Sequence, residues 1–207
     1  VTTATLDLPL VFDAFLHRYT VGERELPSVT SILREAKLSD FSAPHFTEAV
    51  RMRGQLVHAA IALDNEGDLD FDTLDPVLVP YIEGWRRYLS ESGAVVEHFE
   101  KAVCDLSAGY AGTLDAVVLE PNSRPGPTRR TVLDIKPALY PSVGPQVSAY
   151  LRCARGLYDG PVLFQRAALV LPGNGSYRRE PLTDPTDEPT FLAACRIFHW
   201  RAAHGVL

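Results

Sequence analysis

Lysine is scarce in this 207-residue chain. Of 20 basic residues, 17 are arginine, and Lys37, Lys101 and Lys136 are the only lysines. Cysteine is almost as rare. Cys104, Cys153 and Cys195 are odd in number and widely spaced, which excludes a disulfide framework and any CxxC metal knuckle. No apolar run approaches the roughly 18–20 residues needed to span a bilayer. The stretch "VTTATLDLPL" has neither a basic region nor a long apolar segment, so no signal peptide is expected from it. There is no internal repeat and no low-complexity tract. Net positive charge is missing too: the formal charge is −6, with a pI near 5.5. A basic footprint of the kind that marks many nucleic-acid binders is therefore absent overall. Net charge averages over the surface, however, and a metal-dependent site is itself acidic. These features together predict a cytoplasmic protein with reduced thiols and no membrane segment.

What is present is one domain's worth of ordinary globular composition, 46% hydrophobic and 22% charged. "FLHRYTVGERELPSVTSIL" predicts a hairpin around Gly22 and then a helix capped by Ser28. A helix is expected from about His45 to Asn65, with Phe46, Val50, Val57 and Ile61 at helical spacing. A third helix has Pro76 near its start and Gly93 after its end. Three strands follow, "AVVEHFEKAVCDL", "AGTLDAVVLE" and "TVLDIK", then a helix over 144–158, a strand over 163–172 and a closing helix over 188–205. This order predicts an α/β domain with a central mixed sheet, an antiparallel meander plus a further strand, flanked by helices. Residues 1–44 read as an N-terminal hairpin-and-helix appendage to a core of 45–207, in one compact domain overall.

Chemistry concentrates in "TVLDIK". Side chains alternate along a strand, so Asp134 and Lys136 project to one side while Leu133 and Ile135 project to the other. If residues 110–119 pair with 131–136 through the "PNSRPGPTRR" turn, Asp115 faces Asp134 across the ladder. Two carboxylates forced together repel each other unless a cation lies between them. Oxygen ligands of this kind suit Mg²⁺ or Mn²⁺. A lysine beside them can orient water or stabilise charge on a phosphate. An acid two residues before a lysine also reads as a strand-end ion pair, and "EAK" at 35–37 repeats the spacing as a solvated helix face. Asp115 is what separates the two copies. Gly54 and His58 share a helix face one turn apart, as do Gln146 and Tyr150.

In order, these are G-x-x-x-H at 54–58, G-x-x-D at 112–115, D-x-K at 134–136 and Q-x-x-x-Y at 146–150. The set resembles the RecB-like and phage-type exonuclease branch of the PD-(D/E)xK nuclease superfamily, over residues 45 to about 170. That resemblance implies a restriction-endonuclease-like core and a Mg²⁺-dependent (or Mn²⁺-dependent) deoxyribonuclease of phage-type recombination or repair. His58, Asp115, Asp134 and the Ile135 carbonyl would hold the metal, and Asp115, Asp134 and Lys136 would be catalytic. Gln146, Tyr150, Arg53 and Gly54 would contact the substrate. Either Glu97 or Glu100 would add an outer-sphere contact, and strand parity does not choose between them. Arg51, Arg129, Arg130, Arg152 and Arg155 are further phosphate-contact candidates. Cluster-bearing members need four cysteines, so no iron–sulphur cluster is expected. Pro137 departs from the small hydroxyl residue commoner after the lysine.

The implied partner is DNA, alongside a homo-oligomer or a recombination partner protein, in the host cytoplasm if the chain is phage-encoded. The alternatives are a non-catalytic nucleic-acid or protein-binding module on a nuclease fold, and a restriction- or junction-type endonuclease. His199 and His204, five residues apart, share no helix face and read as structural. The acidic stretch from Asp64 to Asp72 reads as solvated linker, because EF-hand spacing is missing.

Overall fold

The structure, a computed structural model, describes residues 8–39, 47–121, 129–160 and 162–207. Strands β1 (Leu10–Asp13), β2 (Arg18–Val21) and β3 (Arg24–Leu26) form a small antiparallel sheet, and Gly22 turns β2 into β3 at φ +59°. Helix α1 (Val29–Glu35) begins where expected, with the Ser28 hydroxyl accepting from the Ser31 amide. Helix α2 (Glu48–Glu66) starts at a Thr47 cap and ends on left-handed Gly67. The predicted start at His45 and Phe46 lies outside the described residues. Helix α3 (Val79–Ser92) has Pro80 in its first turn and ends on Gly93 at φ +65°, while Pro76 belongs to the turn before it.

The main sheet has the order β4 (Val95–Asp105), β5 (Tyr110–Glu120), β6 (Arg129–Lys136), β7 (Phe164–Val170), β8 (Arg178–Pro181). β4, β5 and β6 make the expected antiparallel meander. β6 and β7 run parallel, joined by a crossover that contains α4 (Val143–Ala154). β8 was not foreseen. Its sequence, RREP, is a charged four-residue edge strand with no apolar alternation, a composition that also discourages pairing with another chain. Helix α5 (Asp187–Ala203) closes the chain.

Each face of the sheet is covered. α1, α4 and α5 pack Ile32, Leu33, Val147 and Phe191 onto Val117 and Val132. α2 and α3 pack Ile61, Ile82 and Trp85 onto Val118, Leu133 and Leu169. The N-terminal segment read as an appendage ends in α1, whose Val29, Ile32 and Leu33 are buried in the same core as α4 and α5. Asp64 lies in α2 and not in the acidic loop, and it is bound by Arg86 of α3 at 2.9 Å. Val50, at helical spacing with Val57 and Ile61, is exposed, as is most of the first half of α2, whereas Val57 and Ile61 are buried. No helix among the described residues is long and apolar enough to cross a membrane.

Candidate metal and phosphate site

β5 and β6 stay paired from Glu120↔Arg129 as far as Ala116↔Leu133 and part at the next position, which is Asp115 opposite Asp134. Into the gap Asp115 turns its carboxylate, and its Oδ2 accepts from the Ile135 amide at 2.7 Å. The pleat also slips here. Tyr110 and Leu114 join the α4 core, but two residues on Ala116 joins the α2–α3 core and Val117 the α4 core. Opposite Asp115 on β4, Glu100 has φ +46°, a left-handed conformation that an L-residue in a strand adopts at a cost of about 1–3 kcal/mol.

Asp134 is fully buried, as its place on an interior strand requires. Its Oδ1 accepts from the Lys136 ammonium at 3.0 Å, so the side-by-side projection expected from strand parity is what the structure has. Its Oδ2 has no hydrogen-bond partner. Burial, reinforced by the Asp115 charge, pushes the Asp134 carboxyl up to about 6, against the pull of Lys136. For Lys136 burial works to neutralise the amine, but Asp134 and Asp115 outweigh it and hold the ammonium above the ordinary lysine range. Lys136 Nζ lies 3.8 Å from Asp115 Oδ2.

His58 reaches the same point from α2. Its Nε2 donates to the Ile135 carbonyl at 3.2 Å and stands 3.8 Å from Asp115 Oδ2, and its Nδ1 bonds Glu100 at 2.7 Å. Burial lowers the imidazole pKa, but Asp115 and the Glu100 hydrogen bond raise it more, to about 9. Without a metal, Nε2 therefore carries a proton toward the Ile135 carbonyl, and a cation bound at that nitrogen would have to displace it. Of the two glutamates, Glu100 is the one that reaches this cluster, through His58. Glu97 sits at the β4 bulge between Val96 and His98 and holds Arg130 and the Tyr158 hydroxyl, each at 2.7 Å. His58, Glu100 and Asp115 bring one donor atom each within 4.8 Å of one another. The structure thus converges His58, Asp115, Asp134, the Ile135 carbonyl and Lys136, and adds Glu100.

The donor set fits a hard divalent cation. Two carboxylates, a backbone carbonyl and an imidazole meet at one place, and a buried carboxylate oxygen is left unsatisfied there. The positive charge now neutralising the carboxylates comes from Lys136 and the imidazolium of His58.

Gln146 and Tyr150 are both buried on α4, one turn apart, with the Gln146 side chain beside the tyrosine. Burial and the charges of Asp115 and Asp134 hold the Tyr150 phenol well above its ordinary pKa, so it stays a neutral donor. Gly112 has its explanation here: a Cβ would lie 2.8 Å from the Tyr150 ring and 3.4 Å from Val29. Gly112→Ala should accordingly destabilise the fold by about 1–3 kcal/mol through overpacking. The check is a lowered denaturant midpoint with an unchanged slope.

Gly54 is different, since nothing lies within 4 Å of where its Cβ would be. Packing within the protein does not ask for a glycine at 54. Arg53, beside it, is exposed and has no ion-pair partner among the described residues. Of the other arginines, Arg51 is paired with Glu48, Arg130 with Glu97, and Arg152 with Asp105 and Glu188. Arg129 and Arg155 are exposed. In the "EAK" copy, Lys37 is exposed in the turn after α1 at φ +59°, and Glu35 is 3.5 Å from Arg201, so it is less solvated than expected. Tyr19 was missed: buried, it bonds Thr113 Oγ1 at 2.9 Å at the edge of the site, and only its alternation with Val21 marks it in the sequence.

Compared with protein-family models and with curated proteins, the chain finds no match.

Proposed function

We propose that the chain is a divalent-cation-dependent deoxyribonuclease of the RecB-like branch of the PD-(D/E)xK superfamily, with a restriction-endonuclease-like core, acting as an exonuclease in phage-type recombination or repair. The observation that carries this reading is the buried, unpartnered Oδ2 of Asp134, set against Asp115 and Lys136. Leaving a buried carboxylate oxygen unsatisfied costs about 1–3 kcal/mol or more, a cost that a bound cation removes. The mixed sheet with helices on both faces is compatible with such a core.

In this reading Asp115, Asp134, the Ile135 carbonyl and His58 hold Mg²⁺ or Mn²⁺. When bound, the ion supplies Lewis-acid charge to the phosphate and to the attacking water. The chain does the rest. Glu100 fixes the His58 ring through Nδ1, which sets the direction of Nε2. Lys136 remains charged and, anchored by Asp134, presents its ammonium to charge developing on the phosphate. Tyr150 and Gln146 buttress β5 beneath Asp115 through the contact of the ring with Gly112. Arg53, exposed on α2 with no ion-pair partner among the described residues, would meet a flanking phosphate.

The test is incubation of end-labelled linear DNA and closed circular DNA with Mg²⁺ or Mn²⁺, with and without a chelator. Linear DNA should be consumed and circles spared, and the chelator should stop the reaction. Linearised circles would indicate an endonuclease. Binding without cleavage in every arm would favour a non-catalytic module.

A further inference from the structure

The small N-terminal sheet is fastened at the edge of the site. Tyr19, Val21 and Leu26 pack on Ala111, and Tyr19 is bonded to Thr113, two residues before Asp115. Its direction follows from the pairing. β3 continues through Pro27, whose carbonyl accepts from the Ala111 amide, into a parallel bridge between Ser28 and Ala111. β3 therefore runs with β5, and β2 runs against it. Moving back from Tyr19 toward the β1–β2 turn advances in the direction that leads from Thr113 to Asp115. At about 3.3 Å per residue, that brings His17 level with Asp115 and carries Phe15 about two residues, or roughly 7 Å, further along.

The turn is braced. Asp13 Oδ1 accepts from the amides of Phe15 and Leu16 at 2.9 and 3.0 Å. Behind it Phe12 stacks on Tyr19 at 4.6 Å, with the His17 ring edge-on to Phe12 at 5.5 Å. From this rigid tip Phe15 projects 93% exposed. The nearest cation, Arg18, is committed to Glu25, and the Asp13 carboxylate is engaged by the turn's own amides, so what the tip projects is an apolar ring. On α2, which brings His58 to the site, Arg53 is exposed and has no ion-pair partner among the described residues. The helix thus offers charge for phosphates, the turn a ring for bases.

We propose that Phe15 is a stacking platform for a nucleobase of the strand whose phosphate occupies the Asp115–Asp134 site; this rests on the nuclease reading above. An aromatic ring on a braced turn loses little freedom on stacking, and every base has a π face to offer it.

The experiment uses the full chain, wild type and Phe15→Ala, on single-stranded oligonucleotides carrying one abasic position moved stepwise along the strand. Phe15→Ala should raise KM about tenfold, the usual scale for a lost base–aromatic stack, with kcat within about twofold. Phe15→Trp should restore KM, and thermal unfolding should be unchanged in both variants. In the wild type one abasic position should reproduce the tenfold loss, and Phe15→Ala should be insensitive to that same position. A wild-type KM in Phe15→Ala, or an abasic penalty that persists in it, overturns the proposal while the nuclease reading stands. A change confined to self-association in sedimentation makes Phe15 a protein contact and overturns it too. A wild type that neither binds nor cuts any of the oligonucleotides removes the nuclease reading itself, and the stacking role with it.

Discussion

Lys136→Ala should lose cleavage by about a thousandfold or more and yet bind its cation more tightly than the wild type. The first half follows from the charge the ammonium brings to the phosphate. Removing one preorganised group that stabilises charge in a transition state typically costs about 10²–10³-fold, and Lys136 bears a full positive charge held in place by Asp134 at 3.0 Å. The second half follows from electrostatics without substrate. Nζ stands 3.0 Å from one carboxylate and 3.8 Å from the other, so it occupies the field that a cation must enter. Its removal leaves Asp115 and Asp134 with less compensation and a stronger pull on any divalent ion. Calorimetric titration with Mn²⁺, alongside cleavage of labelled linear DNA, measures both. A variant that cuts at near wild-type rate sinks the assignment of Lys136. A variant that is folded but binds Mn²⁺ more weakly shows that the lysine supports the site's geometry more than it competes for it.

The parts of this site that were legible in the sequence are those set by local rules. Strand periodicity put Asp134 and Lys136 on one side, hairpin spacing brought Asp115 opposite, and the i, i+4 rule aligned Gln146 with Tyr150. Ser28 and Gly93 marked helix ends because capping is a property of a few adjacent residues. What stayed hidden depends on tertiary contacts. No pattern in "EHFEKAV" distinguishes Glu97 from Glu100. The choice is made by a bulge at one and a left-handed backbone at the other, both imposed by pairing with β5. Val50 obeys the helical apolar period yet is exposed, since periodicity does not say where along a helix its burial begins. Arg130 and Arg152, candidates for phosphate contact, are paired with Glu97, Asp105 and Glu188, partners too distant in sequence for any local pattern to name. β8 lacks alternation altogether, because a short edge strand buries little on either face.

The structure offers two overlapping donor sets for a cation, and Asp134→Asn separates them. One set is Asp115, Asp134, the Ile135 carbonyl and His58; the other is the trio of His58, Glu100 and Asp115, without Asp134. Asparagine keeps the shape of the side chain and an acceptor for Lys136, while it deletes the charge and replaces the unpartnered oxygen. Without added metal, the variant should be at least as stable as the wild type, because it no longer buries a carboxylate next to Asp115. With Mn²⁺ at a hundredfold excess over its Kd, the wild type should gain about 2.7 kcal/mol from binding to the folded state alone. In a chain of this size that raises the thermal midpoint by roughly 5–10 °C. Asp134→Asn should show no such rise and no cleavage. If the rise persists in Asp134→Asn and vanishes in Glu100→Gln, the trio holds the ion. Asp134 would then serve to anchor Lys136, and its unpartnered oxygen would belong to the substrate side of the site.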